Sequence, residues 1–380
     1  MSGGYPAARV VAPRVRAHFE AHARASATPG QSPAALPDTG AIEAIIDAAF
    51  WASLRREEGY VPKISLALLP PEESRHPLRF ERPLALSPGA LTRVAPAVER
   101  PGIHLGVWGS AGAGMAGSEL QVWGTTRTIP PLCFVLEVAA PGLLVVKHHR
   151  GDDGKFVNVA VLEGDEVKVV DERASTMPDC PALLTSLLGF DGRGTSLLVQ
   201  MAVSMRSHGR GGSLLVVPSG ISAWRESIVQ PISYSVTPAF GELAELARYT
   251  PLEGDEIGRR LWQDSLNDAV LAVSGLTAVD GATVITDRYE LLAFGAKITR
   301  RDGCPIVDQV AVTEPIEGGD RIVVHPTRLG GTRHLSAAQF VLDQHDAVAL
   351  VASVDGRFTI FAWSPCENVV HAHRVEILLL

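Results

Sequence analysis

LTAVDGATVI at residues 276–285 and GGTRHLSA at residues 330–337 decide the reading of this chain. The first is an apolar, β-branched run that reads as a strand, and its Asp280-Gly281 interruption leaves a carboxylate and a tight backbone at the mouth of a cleft. The second is a Gly-Gly turn, Gly330-Gly331, that opens a helical segment at residues 335–343. Helix starts carry backbone N–H groups with no intrahelical acceptor, so these groups, Thr332, Arg333 and His334 are expected to point at one anion.

Working outward, residues 255–274 carry a helical pattern, and residues 291–298, 320–324, 347–353 and 358–362 read as strands. Strand, strand, helix, strand, strand is the order of a mixed sheet with helices against it, so the expected class is α/β (α+β). Upstream, residues 42–56 read as a helix and 63–69 as a strand, and six β-rich runs between residues 103 and 170 are separated by Gly, Asp and Pro. Residues 181–188 and 196–206 read as helices and 213–218 as a buried strand. Residues 9–24 form a short basic helix, a candidate docking or dimer element, followed by a loose Ala/Pro/Ser/Gly linker. The helical patterns break near Pro251 and Gly254, and the domain boundary is placed there. The expected division is 1–40 as helix and linker, 41–250 as an α+β domain and 251–380 as the domain carrying both motifs.

Composition narrows the class. With 380 residues and 46% hydrophobic content the chain exceeds the size of one core, so two domains are expected. A net charge of −8 argues against sequence-independent binding of nucleic acid. Cys133, Cys180, Cys304 and Cys366 are far apart and form no CxxC pair, the usage of a reduced cytoplasmic protein with free thiols. Residues 1–11 lack the charged and apolar regions of a signal peptide, and no apolar run reaches membrane-spanning length, so no membrane partner is expected.

The two motifs supply what joining nucleoside triphosphates requires: a hydroxyl made nucleophilic, a neutralised α-phosphate and a held pyrophosphate. Asp280 is a candidate ligand for a divalent metal, Gly281 permits close approach of a sugar, and Arg333 offers a planar cation to phosphate, with Thr332, His334 and Ser336 adding hydrogen bonds. On these residues, Asp280-Gly281-Ala282 and Gly331-Thr332-Arg333-His334-Leu335-Ser336-Ala337, the segment 255–362 resembles the diadenylate cyclase (DAC) domain, the DisA-type nucleotide-binding fold. The resemblance implies a homo-oligomer in which two domains meet face to face, each holding one ATP with Mg2+ or Mn2+, to make cyclic di-AMP. It also implies that Asp280 is the metal and 3′-hydroxyl ligand and that Gly281 and Ala282 contact nucleotide through backbone. Gly331, Thr332, Arg333, His334 and Ser336 would form the triphosphate loop, Ser353 would lie near the phosphates and Ile298 would flank adenine. A sensor domain of DAC-associated type is expected ahead of it.

Two positions depart from the family pattern. Leu335 stands where the family has the second arginine of an Arg-His-Arg run, a loss worth about 1.5–3 kcal/mol of phosphate binding. Val354 follows Ser353 where acidic residues are usual, leaving Asp355, one position displaced, as the substitute metal ligand. Two alternatives therefore stand beside the cyclase: a weak or inactive nucleotide-binding sensor of the same fold, and a cyclase using another nucleoside triphosphate.

Other motifs read more plainly. The Gly-rich run 207–212 lacks the Lys and Ser/Thr of a P-loop and is expected as a turn. Cys366, His371 and His373 follow no zinc spacing, His148 and His149 sit at a hairpin end, and Trp108 and Trp123 are expected to pack in a core.

Overall fold

The computed structural model describes residues 4–25, 34–57, 59–109, 119–149, 156–171, 197–249, 251 and 255–380. The chain divides after Val170 into a first unit, Met1–Val170, and a second, Asp171–Leu379. The boundary expected near residue 251 is therefore corrected to 170/171, and the physical reason lies in strand pairing. The strand at residues 212–217 hydrogen-bonds in the centre of the second sheet and cannot belong to the preceding domain. The expected helix at residues 181–188 and Cys180 lie outside the described residues.

In the first unit α1 (Pro6–Ala25) and α2 (Thr39–Ser53) pack on a sheet. α1 is part of that unit's core and not a separate docking element: Ala8, Val11, Ala12, Val15 and Phe19 recur at helical spacing and are fully buried. Asp38 caps α2 by accepting from the Ala41 N–H. The strands are β1 (Ser65–Leu68), β2 (Leu78–Ala85), β3 (His104–Gly109), β4 (Leu120–Thr126), β5 (Phe134–Ala140), β6 (Leu143–His149), β7 (Phe156–Glu163) and β8 (Glu166–Val169). Their order is β2-β4-β3-β1-β5-β6-β7-β8, with α3 (Pro88–Val94) following β2. Trp123 does pack in the core: its ring lies over Gly106 and its indole N–H donates to the Leu69 carbonyl at 2.8 Å. Cys133 is fully buried, which pushes its thiol well up.

The second unit opens, among the described residues, with α4 (Leu197–Ser207) and β9 (Gly212–Val217). Next come β10 (Tyr234–Phe240), α5 (Glu242–Arg248), α6 (Glu256–Leu276), β11 (Ala282–Thr286) and β12 (Leu291–Ala296). The chain closes with β13 (Val310–Thr313), β14 (Ile322–Val324), α7 (Thr332–Asp343), β15 (Val348–Ala352), β16 (Phe358–Ser364) and β17 (Val369–Arg374). The sheet order is β10-β12-β11-β9-β15-β16-β17-β13-β14, mixed as expected, with β9 parallel to β11 and antiparallel to β15. Leu214 and Val216 face a core built with α4, α5 and α6, while Leu215 and Val217 face one built with α7. Burial on both faces explains why β9 reads as an unbroken apolar run.

Each unit buries a neutral histidine. Burial pushes His104, hydrogen-bonded to Ser65, down from 6.5 to about 4, with Glu137 opposing. His373, beside Thr313, is pushed by burial and by His371 down to about 3. In the unfolded chain both rings take up protons near pH 6.5, so that chain binds more protons between pH 6.5 and the folded values, and stability falls as pH drops through this window. The His104 contribution alone approaches roughly 3 kcal/mol near pH 4. Urea titrations at pH 7 and pH 4.5 are expected to show a lower midpoint at the acidic value and a smaller drop in His104→Asn; equal drops would contradict the assignment.

Candidate active site

Four segments meet around one cavity of about 440 Å3. The turn between α6 and β11 brings Asp280, Gly281 and Ala282; the segment leaving β12 brings Lys297 and Ile298. The start of α7 brings Gly331, Thr332, Arg333, His334 and Ser336, and the end of β15 brings Ser353. The two sequence motifs thus face each other across one space because β9 separates β11 from β15 while α7 packs on the same sheet.

The Asp-Gly turn is later and tighter than the strand expected from residue 276. α6 runs to Leu276, and the N–H groups of Thr277, Ala278 and Val279 still bond back to Ser274, Gly275 and Leu276. β11 begins only at Ala282, so Asp280 stands free of the ladder. Gly281 has φ +109°, and a Cβ there would lie 2.5 Å from the Gly295 carbonyl carbon. The side chain that Gly281 lacks would run into the chain's own neighbouring strand, where Gly295 in turn passes under Tyr234, while the Gly281 backbone lines the cavity.

Asp280 is exposed and ion-paired with Lys297. The hydrogen bond and charge of Lys297, with Arg333 adding from farther away, hold its carboxyl below the usual carboxylate range. Lys297 was not foreseen: nothing in its local sequence marks it, and only the pairing of Ala282 with Ala296 brings it beside Asp280. Ser213, at the start of β9, also lines the cavity without having been foreseen. The Gly-rich run before β9, read as a plain turn, borders this region, since a Cβ on Gly211 would lie 3.0 Å from an Arg333 guanidinium nitrogen.

α7 starts at Gly331 with no side-chain cap, leaving its first N–H groups at the cavity. Arg333 is exposed, and among the described residues no carboxylate lies within 4 Å of its guanidinium. His334 is buried, its ring against Gly330 and Phe361. Burial pushes its imidazole down; Asp355 opposes this, and Arg357, Arg333 and Arg374 reinforce it. Its Nε2 is buried without a hydrogen-bond partner among the described residues.

Asp355 does not join Asp280 at the cavity. It occupies the β15–β16 hairpin turn, bonded to the Arg357 N–H at 3.3 Å and to its guanidinium at 3.5 Å. Partial burial raises its carboxyl, but the Ser353 hydroxyl and Arg357 outweigh this and hold it below the usual range. Its reading as a second metal ligand is corrected accordingly: the turn displaces it and Arg357 takes its oxygens. Leu335 packs on the core beneath α7. His371 is bonded to Glu367 at 2.7 Å and His373 to Thr313 at 2.7 Å, so these rings have structural partners.

No helix among the described residues is long and apolar enough to cross a membrane. No curated protein matches the chain. Among solved structures, the crystal structure of the hypothetical membrane spanning protein from Bacillus cereus is similar over 50% of this chain and 72% of that one, at 12% identity and a TM-score of 0.28, too distant to bear on the fold. Residues 31–127, inside the first unit, match the family described as "Probable sensor domain DACNV", and the chain therefore carries a sensor domain of DAC-associated type.

Proposed function

We propose that the second unit is a diadenylate cyclase domain that condenses two ATP into cyclic di-AMP and two pyrophosphate, under the influence of the first unit. The observation that carries this reading is the single cavity on which Asp280-Gly281 and the start of α7 converge. The reaction runs the same step twice, once from each ATP: a ribose 3′-oxygen bonds to the α-phosphorus of the other ATP, the bond from that phosphorus to the bridging oxygen breaks, and one pyrophosphate and the hydroxyl proton are released each time. Each cavity supplies one carboxylate and one anion-binding helix start. Two ATP therefore require two chains with their cavities facing, a homo-oligomer.

Arg333, unpaired with any described carboxylate, and the N–H groups at the start of α7 bind triphosphate oxygens, joined by Thr332 and Ser336. The neutral, buried His334 ring lines the same cavity. Ile298 gives the base an apolar contact and Ser353 lies beside the phosphates. Asp280 is an ionised oxygen donor on an open cavity, the donor type that Mg2+ or Mn2+ takes when substrate phosphates complete its shell. Such an ion, when bound, lowers the pKa of the 3′-hydroxyl and offsets charge at the α-phosphate. Lys297 must then share or release the Asp280 carboxylate.

Arg333→Ala removes charge-assisted hydrogen bonds worth about 1.5–3 kcal/mol, an expected loss of roughly 10- to 150-fold in kcat/KM for ATP. Steady-state kinetics across all four nucleoside triphosphates checks both this and the nucleotide preference; an unchanged kcat/KM would remove Arg333 from the triphosphate site. The Asp280–Lys297 pair favours one second reading, a nucleotide-binding sensor without turnover, which ATP binding without product over a range of metals would support.

A further inference from the structure

The first unit holds a cluster of nitrogen donors that the cyclase reading does not use. α1 carries His18 and His22 one helical turn apart, hence on one face, and β6 carries His148 as its penultimate residue. One ring nitrogen from each lies within 4.8 Å of the other two. The His18 and His22 rings stack with centroids 4.2 Å apart, and the His148 ring lies 5.4 and 5.1 Å from them.

The packing holds this arrangement in place. Phe19, fully buried between the two helical histidines, meets Phe134 at 5.9 Å and the edge of His148 at 6.0 Å, which fixes the face that α1 turns to the sheet. His148 is buried, and His18 and His22 are half-buried. On the strand, the neighbouring Lys147 alternates to the other side, where Glu137 takes its ammonium at 2.6 Å. Nδ1 of His22 lies 3.1 Å from the His18 carbonyl oxygen, and Nδ1 of His148 lies 3.4 Å from the His149 carbonyl oxygen, contacts of the kind that orient the rings of metal-binding histidines.

We propose that His18, His22 and His148 bind a divalent first-row transition ion, zinc in the first instance. An all-imidazole donor set suits Zn2+, Ni2+ or Cu2+ and not the oxygen-seeking Mg2+ or Ca2+. Three protein ligands leave a fourth tetrahedral position for water or a small ligand. At Zn–N distances of about 2.0–2.1 Å the nitrogens would sit roughly 3.3 Å apart, reached by a side-chain contraction of about 1.5 Å at most from the present spacing. The ion would tie α1 to β6, giving an input to the unit that carries the sensor-domain match. The proposal does not rest on the cyclase reading.

The test uses the untagged full-length chain carrying Asp280→Asn, which removes the carboxylate of the other cavity. Zn2+ is measured by equilibrium dialysis with metal analysis, and Co2+ serves as the spectroscopic probe. One ion per chain is expected, with the visible absorption of nitrogen-coordinated Co2+ and a thermal midpoint raised by Zn2+. Adding His22→Gln, at a half-buried helical position that can be replaced without unfolding, is expected to weaken binding by more than about 100-fold and abolish the thermal shift, whereas His149→Gln leaves both intact. Absence of stoichiometric binding, or equal binding with and without His22, would overturn the site. Unchanged metal-free circular dichroism and melting of the His22→Gln chain separate loss of a ligand from loss of fold.

Discussion

Asp280→Asn is expected to lower cyclic di-AMP formation by about a thousandfold or more while leaving the fold intact. The carboxylate projects from a turn into the cavity, is exposed and takes part in no core packing, so its neutral isostere removes charge and leaves shape. Asparagine still presents one oxygen to Lys297 but is a far weaker ligand for a hard divalent cation, so the 3′-hydroxyl loses its activation. ATP binding should fall much less, because Arg333 and the start of α7 remain. Turnover and ATP affinity measured on the same preparation check this split. Retained turnover would show that Asp280 is a structural partner of Lys297 alone.

Gly281→Ala is expected to cost about 3–5 kcal/mol of stability in the second unit, the sum of positive-φ strain and backbone overlap. The new Cβ would lie 2.5 Å from the Gly295 carbonyl carbon and 2.9 Å from the Ala296 nitrogen, and backbone atoms cannot swing aside as a flexible side chain does. The only relief is to part β11 from β12, which moves Asp280 away from the cavity. Gly331→Ala provides the contrast: its φ is −79° and no atom lies within 4 Å of its would-be Cβ, so the poorer helix-start preference of Ala and the lower entropy of its unfolded chain oppose each other and the change should stay within about 1 kcal/mol. Urea denaturation of the two variants checks the difference, and similar midpoints would refute the steric account of Gly281.

The sequence carried the site further than the domain plan. Asp280, Gly281, Arg333 and Ser336 were legible because the turn and the helix start each need a local residue pattern, and both patterns end at one cavity. The boundary was not legible, because β9 meets its partners β11 and β15 only through long-range pairing, and a break between helices resembles a linker. The edge strands β2 and β10 were missed for a related reason. They are largely exposed and carry no clear alternation for a core to imprint. Lys297 was hidden in the same way, since register and not spacing places it beside Asp280. Asp355 shows the reverse error, a residue of the right chemistry at nearly the right position whose hairpin turn gives it to Arg357.

The most direct measurement is to incubate the full-length chain with Mn2+ or Mg2+ and a mixture of ordinary and uniformly heavy-isotope ATP, then identify products by mass spectrometry. The account predicts cyclic di-AMP in light, heavy and mixed forms, the mixed form showing that two separate ATP molecules were joined, with all three lost in Asp280→Asn. Recovery of ATP unchanged, or of AMP or ADP alone, with every metal tried would contradict it.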